Sequence, residues 1–207
     1  MQGLLVVISG PSGVGKGTIC AVLCRRNDRI SLSISATTRS PRVGEVDQVH
    51  YYFTKPERFR EMIARDELLE WAEVYGDFYG TPRGPVAQML ELGRDVILEI
   101  DVQGALQVKE RAPEAVSIFV WPPSLAELER RLRGRAKDSD EQIARRLDWA
   151  RNELQAVAKY DYVVVNDRVE EAVCKIEAIM VAEKCRPVYF TGLGECCRTR
   201  NWTKNQI

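Results

Sequence analysis

Histidine is almost absent from this chain of 207 residues. His50 is the only one, so a metal site built from several histidines is excluded. The 30 basic and 30 acidic side chains balance, which leaves no overall basic charge to attract nucleic acid or a membrane surface. Apolar runs such as Leu4–Ile8 have the length of a strand and are far shorter than a membrane span. We therefore expect neither a nucleic-acid partner nor a membrane partner.

Other common patterns are also missing. The six cysteines lack the spacing of a zinc site, and in a cytoplasmic chain we expect them to stay reduced. No basic leader precedes the N-terminal apolar run, which predicts a buried strand and not a signal peptide. There are no internal repeats and no low-complexity linker. The length suits one core with insertions, so the expectation is a small cytoplasmic enzyme.

The most informative segment is a glycine-rich loop between the apolar run Leu4–Ile8 and a helical pattern that begins at Lys16. It consists of Gly10, Pro11, Ser12, Gly13, Val14, Gly15, Lys16, Gly17 and Thr18. Such a loop turns backbone N–H groups toward an anion, the helix N-terminus adds its positive dipole end, and the lysine adds a point charge. An ordinary glycine-rich turn is the alternative, but it would not need a lysine at this offset. The loop predicts binding of a nucleoside triphosphate.

The residues at the end of the loop narrow down the class of nucleoside triphosphate-binding protein. Most such loops have a serine or threonine directly after the lysine, where its hydroxyl contacts Mg²⁺. Here Gly17 follows Lys16, and Thr18 comes one position later. This ending occurs among nucleoside monophosphate kinases and argues against small GTPases. Mg²⁺ keeps several waters readily, so we expect nucleotide phosphates, water and an acidic residue elsewhere to hold it.

Alternating patterns predict an α/β fold, with a mostly parallel sheet covered by helices on both faces. The predicted strands of the core are Leu4–Ser9, Asp95–Ile100, Ser117–Trp121 and Tyr162–Val165. The predicted helices are Lys16–Arg26, Leu125–Arg135, Glu141–Val157 and Val169–Lys184, with Ser124 and Ser139 as N-caps. Between the first helix and Asp95 the chain looks β-rich, with short strands predicted at Ser31–Thr38, Tyr51–Thr54 and across Glu70–Tyr79.

This β-rich insertion carries a dense set of polar and aromatic side chains. Arg39 and Arg42 flank a proline turn, and arginine forks suit a phosphate because each donates two parallel hydrogen bonds. Tyr51 and Tyr79 have hydroxyls for the same anion. Glu70 lies in an apolar run, where a carboxylate is costly unless it has a partner, and the adjacent N1–H and N2–H₂ donors of guanine would supply one. Taken singly, each residue also fits a surface arginine, an edge-strand glutamate or a core tyrosine.

Together these segments resemble the guanylate kinase family. The matching pieces are GPSGVGKGT, SISATTRSPRVGE, HYYF, LLEWAEVYGDFYGTP, ILEIDVQG, RRLRGR, ARRL and YDYVVVND. They run in family order from residue 4 to about residue 185. The resemblance implies a guanylate kinase-like domain over residues 1–186. In it, the core comprises 1–32, 95–123 and 158–186, the GMP-binding insertion 33–94, and a helical lid 124–157. Residues 187–207 have no counterpart in the family pattern, and we expect them to form a loosely ordered extension, with a dimer contact as the alternative.

The resemblance also implies roles for the matching positions. Ser35, Glu70 and Thr81 would contact guanine, while Arg39, Arg42, Tyr51 and Tyr79 would hold the GMP phosphate. Asp101 would lie near GMP and the metal, holding Mg²⁺ largely through water, and Glu99 would support it. Arg131, Arg135 and Arg146 would close over the triphosphate, and Asn166 would contact adenine. The alternatives are strand-end caps for the two acids and a solvated helix face for the lid arginines.

The implied activity is transfer of the γ-phosphoryl group of Mg-ATP to GMP, which yields ADP and GDP and recycles GMP and dGMP in purine metabolism. Lys16, Arg39 and the three lid arginines would be the catalytic residues. A catalytically inactive guanylate kinase-like interaction module is the alternative, but such modules usually have a degraded phosphate loop. One departure is Ala136-Lys137 after Arg135, where the family often has glycine and threonine. The sequence leaves open whether the chain is a monomer or a homo-oligomer.

Overall fold

A computed structural model describes residues 2–74, 76–134 and 139–189 of the chain. The strands in this part are β1 (Leu5–Ser9), β2 (Ile30–Leu32), β3 (Ala36–Thr37), β4 (Tyr52–Phe53), β5 (Leu68–Val74), β6 (Asp77–Pro82), β7 (Asp95–Glu99), β8 (Val116–Trp121) and β9 (Tyr162–Val165). The helices are α1 (Lys16–Arg26), α2 (Pro56–Ala64), α3 (Arg83–Glu91), α4 (Val102–Arg111), α5 (Leu125–Arg133), α6 (Asp140–Leu154) and α7 (Val169–Lys184). Short 3₁₀ turns cover Gln155–Lys159 and Pro187–Tyr189.

The main sheet has the strand order β2-β7-β1-β8-β9, and its strand pairs are all parallel. The central strand β1 is buried along its whole length, because helices cover both faces of the sheet. Leu4, Val6 and Ile8 pack on one face with residues of α1 and α7. Leu5 and Val7 pack on the other face with residues of α3 and α4. The predicted α/β fold with a parallel sheet core is confirmed.

A second sheet has the order β4-β3-β6-β5 and mixes parallel and antiparallel pairs. Its own small core is built around Ala36, Phe59 and Leu68, with Phe78 stacked on Phe59 at a centroid distance of 5.4 Å. Gln107 on α4 ties this sheet to the main core, because its side-chain amide bonds both the N–H and the C=O of Trp71 in β5. Strands from the β-rich insertion thus extend from the main body as a distinct layer.

Most core elements lie where the sequence predicts them. Strand β9 and helices α1 and α7 have the predicted bounds, and α5 and α6 begin within a residue of their predicted starts. Ser124 and Ser139 accept hydrogen bonds from Glu127 N and Gln142 N, so both predicted N-caps are confirmed. Helix α6 ends at Leu154 and continues as a 3₁₀ turn.

One expectation about the insertion is wrong. The predicted strand Ser31–Thr38 is split: Ile30–Leu32 pairs with β7 in the main sheet, whereas Ala36–Thr37 belongs to the second sheet. A continuous alternating pattern cannot show that the chain passes from one sheet to another. Besides the strands of the second sheet, the region contains α2 and α3, which were not predicted. Helix α4, which follows the region, was not predicted either. The apolar stripes of α2 and α3 are short, because each helix has nine residues and only one of them is buried.

At the C-terminal end, the predicted extension begins with the 3₁₀ turn Pro187–Tyr189. Tyr189 packs against the part of the core that contains Leu4, Val6 and Ile8. Residues 190–207, which include Cys196 and Cys197, lie outside the described residues. Cys20, Cys24, Cys174 and Cys185 are free thiols, as expected for those four. Among the helices that the structure describes, none has both the length and the apolar character needed to cross a bilayer.

Candidate active site

The glycine-rich loop forms at the carboxyl end of β1 and leads directly into α1. Gly15 is the N-cap of α1 and has φ = 101°, a left-handed conformation that favours glycine. A Cβ at this position would lie 2.5 Å from the side-chain nitrogen of Asn166, so both conformation and space require glycine here. The first N–H groups of an α-helix have no partner within the helix and point toward its N-terminal end, and the N-cap Gly15 has no side chain to accept from them. The arrangement is an anion site of the kind that holds phosphates.

Lys16 lies folded back onto this loop. Its Nζ donates to the carbonyl oxygens of Gly10 at 2.6 Å and Pro11 at 3.2 Å. Burial lowers the pKa of Lys16, while the carboxylates of Glu153, Glu99 and Asp101 act in the opposite direction. Three carboxylates thus favour the charged form of Lys16, and a bound phosphate could replace the loop carbonyls as the partner of its ammonium group.

The two acidic residues predicted at the end of β7 lie at the carboxyl edge of the main sheet. Asp101 is the N-cap of α4, and its Oδ1 accepts from Gly104 N at 2.8 Å. The alternative prediction, that Asp101 is a cap at the end of the strand, is therefore correct for its Oδ1 atom. A Cβ built on Gly17 would lie 3.3 Å from Glu99 Oε1, which puts this carboxylate beside the phosphate loop. Both carboxylates also act on Lys16, so the two acids belong to the same site as the loop.

A polar cleft of about 570 Å³ opens beside the loop on the side of β9. Its lining consists of Gly13, Gly15, Thr18, Glu127, Arg130, Arg131, Asn166, Asp167 and Val169. The buried amide of Asn166 donates to Val14 O at 2.8 Å through Nδ2. Its Oδ1 has no hydrogen-bond partner within the described part of the chain. A buried acceptor without a donor costs free energy, and Asn166 is one of the residues that line the cleft.

The arginines predicted for the lid have different environments. Arg131 is half-buried, and its guanidinium donates to Val14 O, Asn166 O and Glu127 Oε1. It therefore connects α5 to the phosphate loop and is not part of a solvated helix face. Arg146 is a half-buried residue of α6. Arg135 lies outside the described residues, as do Ala136 and Lys137.

Two of the residues predicted to contact the base, Glu70 and Thr81, come together at the junction of β5, β6 and α4. Glu70 is only 6% exposed, and its Oε1 accepts from the Thr81 hydroxyl at 2.7 Å. Its Oε2 faces Gly104, where an added Cβ would lie 2.8 Å away. Burial raises the pKa of Glu70 to about 7, although the Thr81 hydrogen bond acts against this shift. Ser35 lies just before β3, where its carbonyl accepts from Tyr52 N.

The phosphate-side residues of the insertion form a second cluster. The Tyr51 and Tyr79 rings lie 6.2 Å apart in an edge-on arrangement, and the Arg39 guanidinium carbon lies 5.5 Å from the Tyr51 ring centroid. Arg39 is also paired with Glu45, and Arg42 N donates to the same carboxylate at 2.7 Å. Arg39, Arg42, Tyr51 and Tyr79, which are widely spaced in sequence, are thus linked through ring contacts and one shared carboxylate.

Sequence reasoning missed several residues that shape the site. Glu45 lies within the motif SISATTRSPRVGE. Its charge is opposite to that of Arg39, six residues earlier, and this could have indicated an ion pair. Glu153 acts electrostatically on Lys16 from α6, across 137 positions of sequence, which no local pattern shows. Gly104 makes room for Glu70, and Gln107 holds β5 in place. These two roles depend on the packing of α4 against the second sheet.

The oxygen ligands near Lys16 can supply only part of the coordination shell of a hard divalent cation such as Mg²⁺. Glu99 and Asp101 offer carboxylate oxygens beside the loop, and Thr18 lines the adjacent cleft. Oxygen ligands suit Mg²⁺, which is usually bound by one or two carboxylates together with phosphates and water. Among the described residues, no group of three or more His, Cys, Asp and Glu side chains is arranged to hold a metal by itself. The residues present therefore fit Mg²⁺ bound together with a nucleotide.

A phosphate loop at the carboxyl edge of a parallel sheet, joined to a second layer with its own arginine cluster, defines the class of P-loop kinases that act on small phosphorylated acceptors. The guanylate kinase family model matches residues 2–183. A guanylate kinase of Clostridium perfringens strain 13 is 57% identical over 89% of this chain and 86% of its own length. One of Desulfitobacterium hafniense strain Y51 is 54% identical over 93% of this chain and 98% of its own length. The crystal structure of guanylate kinase from Anaplasma phagocytophilum matches with a TM-score of 0.77 and 36% identity, covering 96% of this chain and 95% of that one. This chain belongs to the guanylate kinase family.

Proposed function

We propose that this protein transfers the γ-phosphoryl group of ATP to GMP and forms ADP and GDP. The observation that carries the proposal is the buried Glu70 carboxylate, held by Thr81 in a chain that has an intact phosphate loop with Lys16. Membership of the guanylate kinase family supports the same reaction. Nothing in the comparisons favours an inactive interaction module.

Guanine recognition is assigned to Glu70, Thr81 and Ser35. Guanine presents N1–H and N2–H₂ as adjacent donors, whereas adenine has an acceptor at N1, so a carboxylate favours guanine. Glu70 Oε1 is already oriented by Thr81, and Gly104 leaves Oε2 uncovered by a side chain. A buried carboxylate that lacks its ligand is costly, and a base without the two donors leaves it unpaired. This mismatch is the source of the proposed specificity.

The acceptor phosphate is assigned to Arg39, Arg42, Tyr51 and Tyr79. Support comes from the geometry of the cluster, in which Arg39 lies against the Tyr51 ring and interacts with the Tyr79 hydroxyl. A phosphate monoester has a second pKa near 6, so at neutral pH GMP is largely dianionic and already carries its nucleophilic oxygen. No general base is therefore required. The work of the protein is to bring two polyanions into line and to offset their repulsion.

On the donor side, Lys16 and the N-terminal amides of α1 would hold the ATP phosphates. Asn166 Oδ1, which has no hydrogen-bond partner among the described residues, would suit the exocyclic amino group of adenine, an N–H donor. Arg131, together with Arg135 and Arg146, would meet the charge that develops on the transferred group, an effect of roughly 10³-fold or more in related chemistry. Burial around Lys16 would strengthen these interactions and keep water from the reaction.

Mg²⁺ would be held by Asp101, largely through water, with Glu99 beside it and the nucleotide phosphates as its other ligands. When bound, it neutralises charge on the phosphates of ATP. Asp101 keeps one oxygen for this purpose, because Oδ1 is engaged by Gly104 N and Oδ2 is not part of the cap. Action on dGMP as well as GMP, a cytoplasmic location, and the absence of nucleic-acid or membrane partners remain predictions.

The test is formation of ADP from Mg-ATP with GMP, dGMP, AMP, CMP and UMP offered separately. We expect turnover with the two guanine nucleotides and background rates with the other three. Turnover with AMP or a pyrimidine nucleotide at a comparable rate would contradict the base assignment. Binding of nucleotide without any turnover would favour the inactive module.

A further inference from the structure

Glu45 lies at the centre of a hydrogen-bond network around Arg39. Its Oε1 and Oε2 accept from Arg39 Nη2 and Nη1, both at 2.9 Å, which is a two-pronged carboxylate–guanidinium pair. Oε2 also accepts from Arg42 N at 2.7 Å. The two side chains are mostly covered, with 13% of Arg39 and 19% of Glu45 exposed. The network therefore fixes one guanidinium and the backbone that carries the second arginine.

The geometry of the pair keeps one edge of Arg39 clear of Glu45, and the Tyr79 side chain also interacts with this guanidinium. A guanidinium has five N–H groups. Glu45 accepts one hydrogen bond from Nη1 and one from Nη2, the two terminal nitrogens of the guanidinium. Ser40 O accepts the other Nη1 hydrogen at 2.7 Å. The remaining two, on Nε and Nη2, are parallel and form the side edge of the same plane. Two parallel donors match two oxygens of a phosphate.

The surroundings hold that plane in place. The Arg39 guanidinium carbon lies 5.5 Å from the Tyr51 ring centroid and 5.9 Å from that of Phe53. Pairing with Arg39 and the hydrogen bond from Arg42 N lower the pKa of Glu45 to about 2, so the carboxylate is charged throughout the neutral range. The rings restrict the guanidinium plane, and Glu45 restricts its rotation within that plane.

We propose that Glu45 is a positioning residue for GMP: it holds the end of the Arg39 fork so that the Nε–Nη2 edge is presented to the GMP phosphate. The carboxylate acts through Arg39 and does not touch the substrate. This inference rests on the proposed function, because it assumes that the phosphate bound by Arg39 is that of GMP. Without the pair, the arginine side chain would have to be ordered at the moment of binding, which lowers affinity.

The test compares GMP with guanosine, which has the same base and sugar but no phosphate. Binding of each ligand to Glu45→Gln is measured by calorimetry, and the steady-state KM values for GMP and ATP are measured in parallel. We expect a loss of about tenfold in GMP affinity, the size of one charge-assisted hydrogen bond. Guanosine affinity and the KM for ATP should stay within twofold. Glu45→Asp, which retains the charge, should recover part of the GMP affinity.

The matched control is Glu67→Gln, which breaks the Arg58–Glu67 ion pair of 2.7 Å in the same insertion, away from the arginine cluster. It should leave both affinities unchanged. Equal weakening of GMP and guanosine by Glu45→Gln, or no weakening of either, would overturn the positioning role. A wild-type protein that binds GMP no better than guanosine would instead overturn the proposed phosphate site itself, so the two failures are distinguishable.

A double-mutant cycle tests whether Glu45 acts through Arg39. In the Arg39→Ala background, Glu45→Gln should change GMP affinity by less than twofold, because the group that it positions is gone. A full tenfold loss in that background would show an effect independent of Arg39 and would overturn the proposal. Melting temperatures of all variants, compared with the wild type, confirm that each one is folded.

Discussion

Replacing Glu70 by glutamine should separate guanine recognition from the rest of the reaction. The carboxylate is 6% exposed, with Oε1 bonded to Thr81 and Oε2 beside Gly104. An amide accepts one guanine donor and places its own N–H₂ against the other. A hydrogen bond to a charged group is worth about 1.5–3 kcal/mol, so the KM for GMP should rise about 10- to 100-fold. The KM for ATP should not change.

The same substitution should alter stability with a definite pH dependence. Burial raises the pKa of Glu70 from 4.5 to about 7, which corresponds to about 3 kcal/mol of destabilisation by the ionised group. The folded state binds this proton more tightly than the unfolded chain does. The destabilisation therefore appears above pH 4.5 and is complete only above about pH 7. Glutamine does not titrate, so Glu70→Gln should gain stability relative to wild type between pH 5 and pH 8.

The assay is steady-state kinetics of ADP formation at pH 6, 7 and 8, together with melting curves from pH 5 to pH 8. Wild-type affinity for GMP should increase through pH 7 as Glu70 ionises, and the variant should lack this increase. Ionisation of the GMP phosphate near pH 6 affects both proteins equally, so the variant corrects for it. An equal rise in both KM values, or identical pH profiles for the two proteins, would refute the reasoning.

Three further predictions concern the loop, the base site and the metal. Lys16→Ala should nearly abolish turnover while the far-ultraviolet circular dichroism stays unchanged; substantial residual activity would contradict its phosphate role. Gly104→Ala places a Cβ 2.8 Å from Glu70 Oε2 and should raise the KM for GMP about tenfold with the KM for ATP unchanged, so equal effects on both would indicate general misfolding. Excess EDTA should stop phosphoryl transfer and added Mg²⁺ should restore it, whereas full turnover in EDTA would argue against a metal at Asp101.

Local chemistry explains why so much of the donor side could be predicted. The phosphate loop is a continuous segment, and its glycines, its lysine and the following helix are all adjacent in sequence. The strand β1 and helix α1 were equally predictable, because an apolar run and a helical pattern depend on neighbouring residues. The same holds for Ser124 and Ser139, whose side chains bond N–H groups three positions away.

The acceptor side was only partly predictable. Glu70, Thr81 and Arg39 could be selected by residue type or by family resemblance, but the contacts that hold them could not. Thr81 reaches Glu70 through an antiparallel pairing of β5 and β6, and Gly104 reaches it from α4. The division of Ser31–Thr38 between two sheets was missed for the same reason, since strand partners lie far away in the chain.

The sequence by itself determined the class of this protein, because the phosphate loop and the spaced family motifs carry that information in contiguous residues. Only the tertiary structure decided how the side chains are held. It buried Glu70 against Thr81, folded Lys16 onto the loop carbonyls, left Asn166 Oδ1 without a partner among the described residues, and placed Glu45 at the end of the Arg39 fork. Burial and hydrogen-bond geometry arise from contacts between distant segments, and no local pattern encodes them.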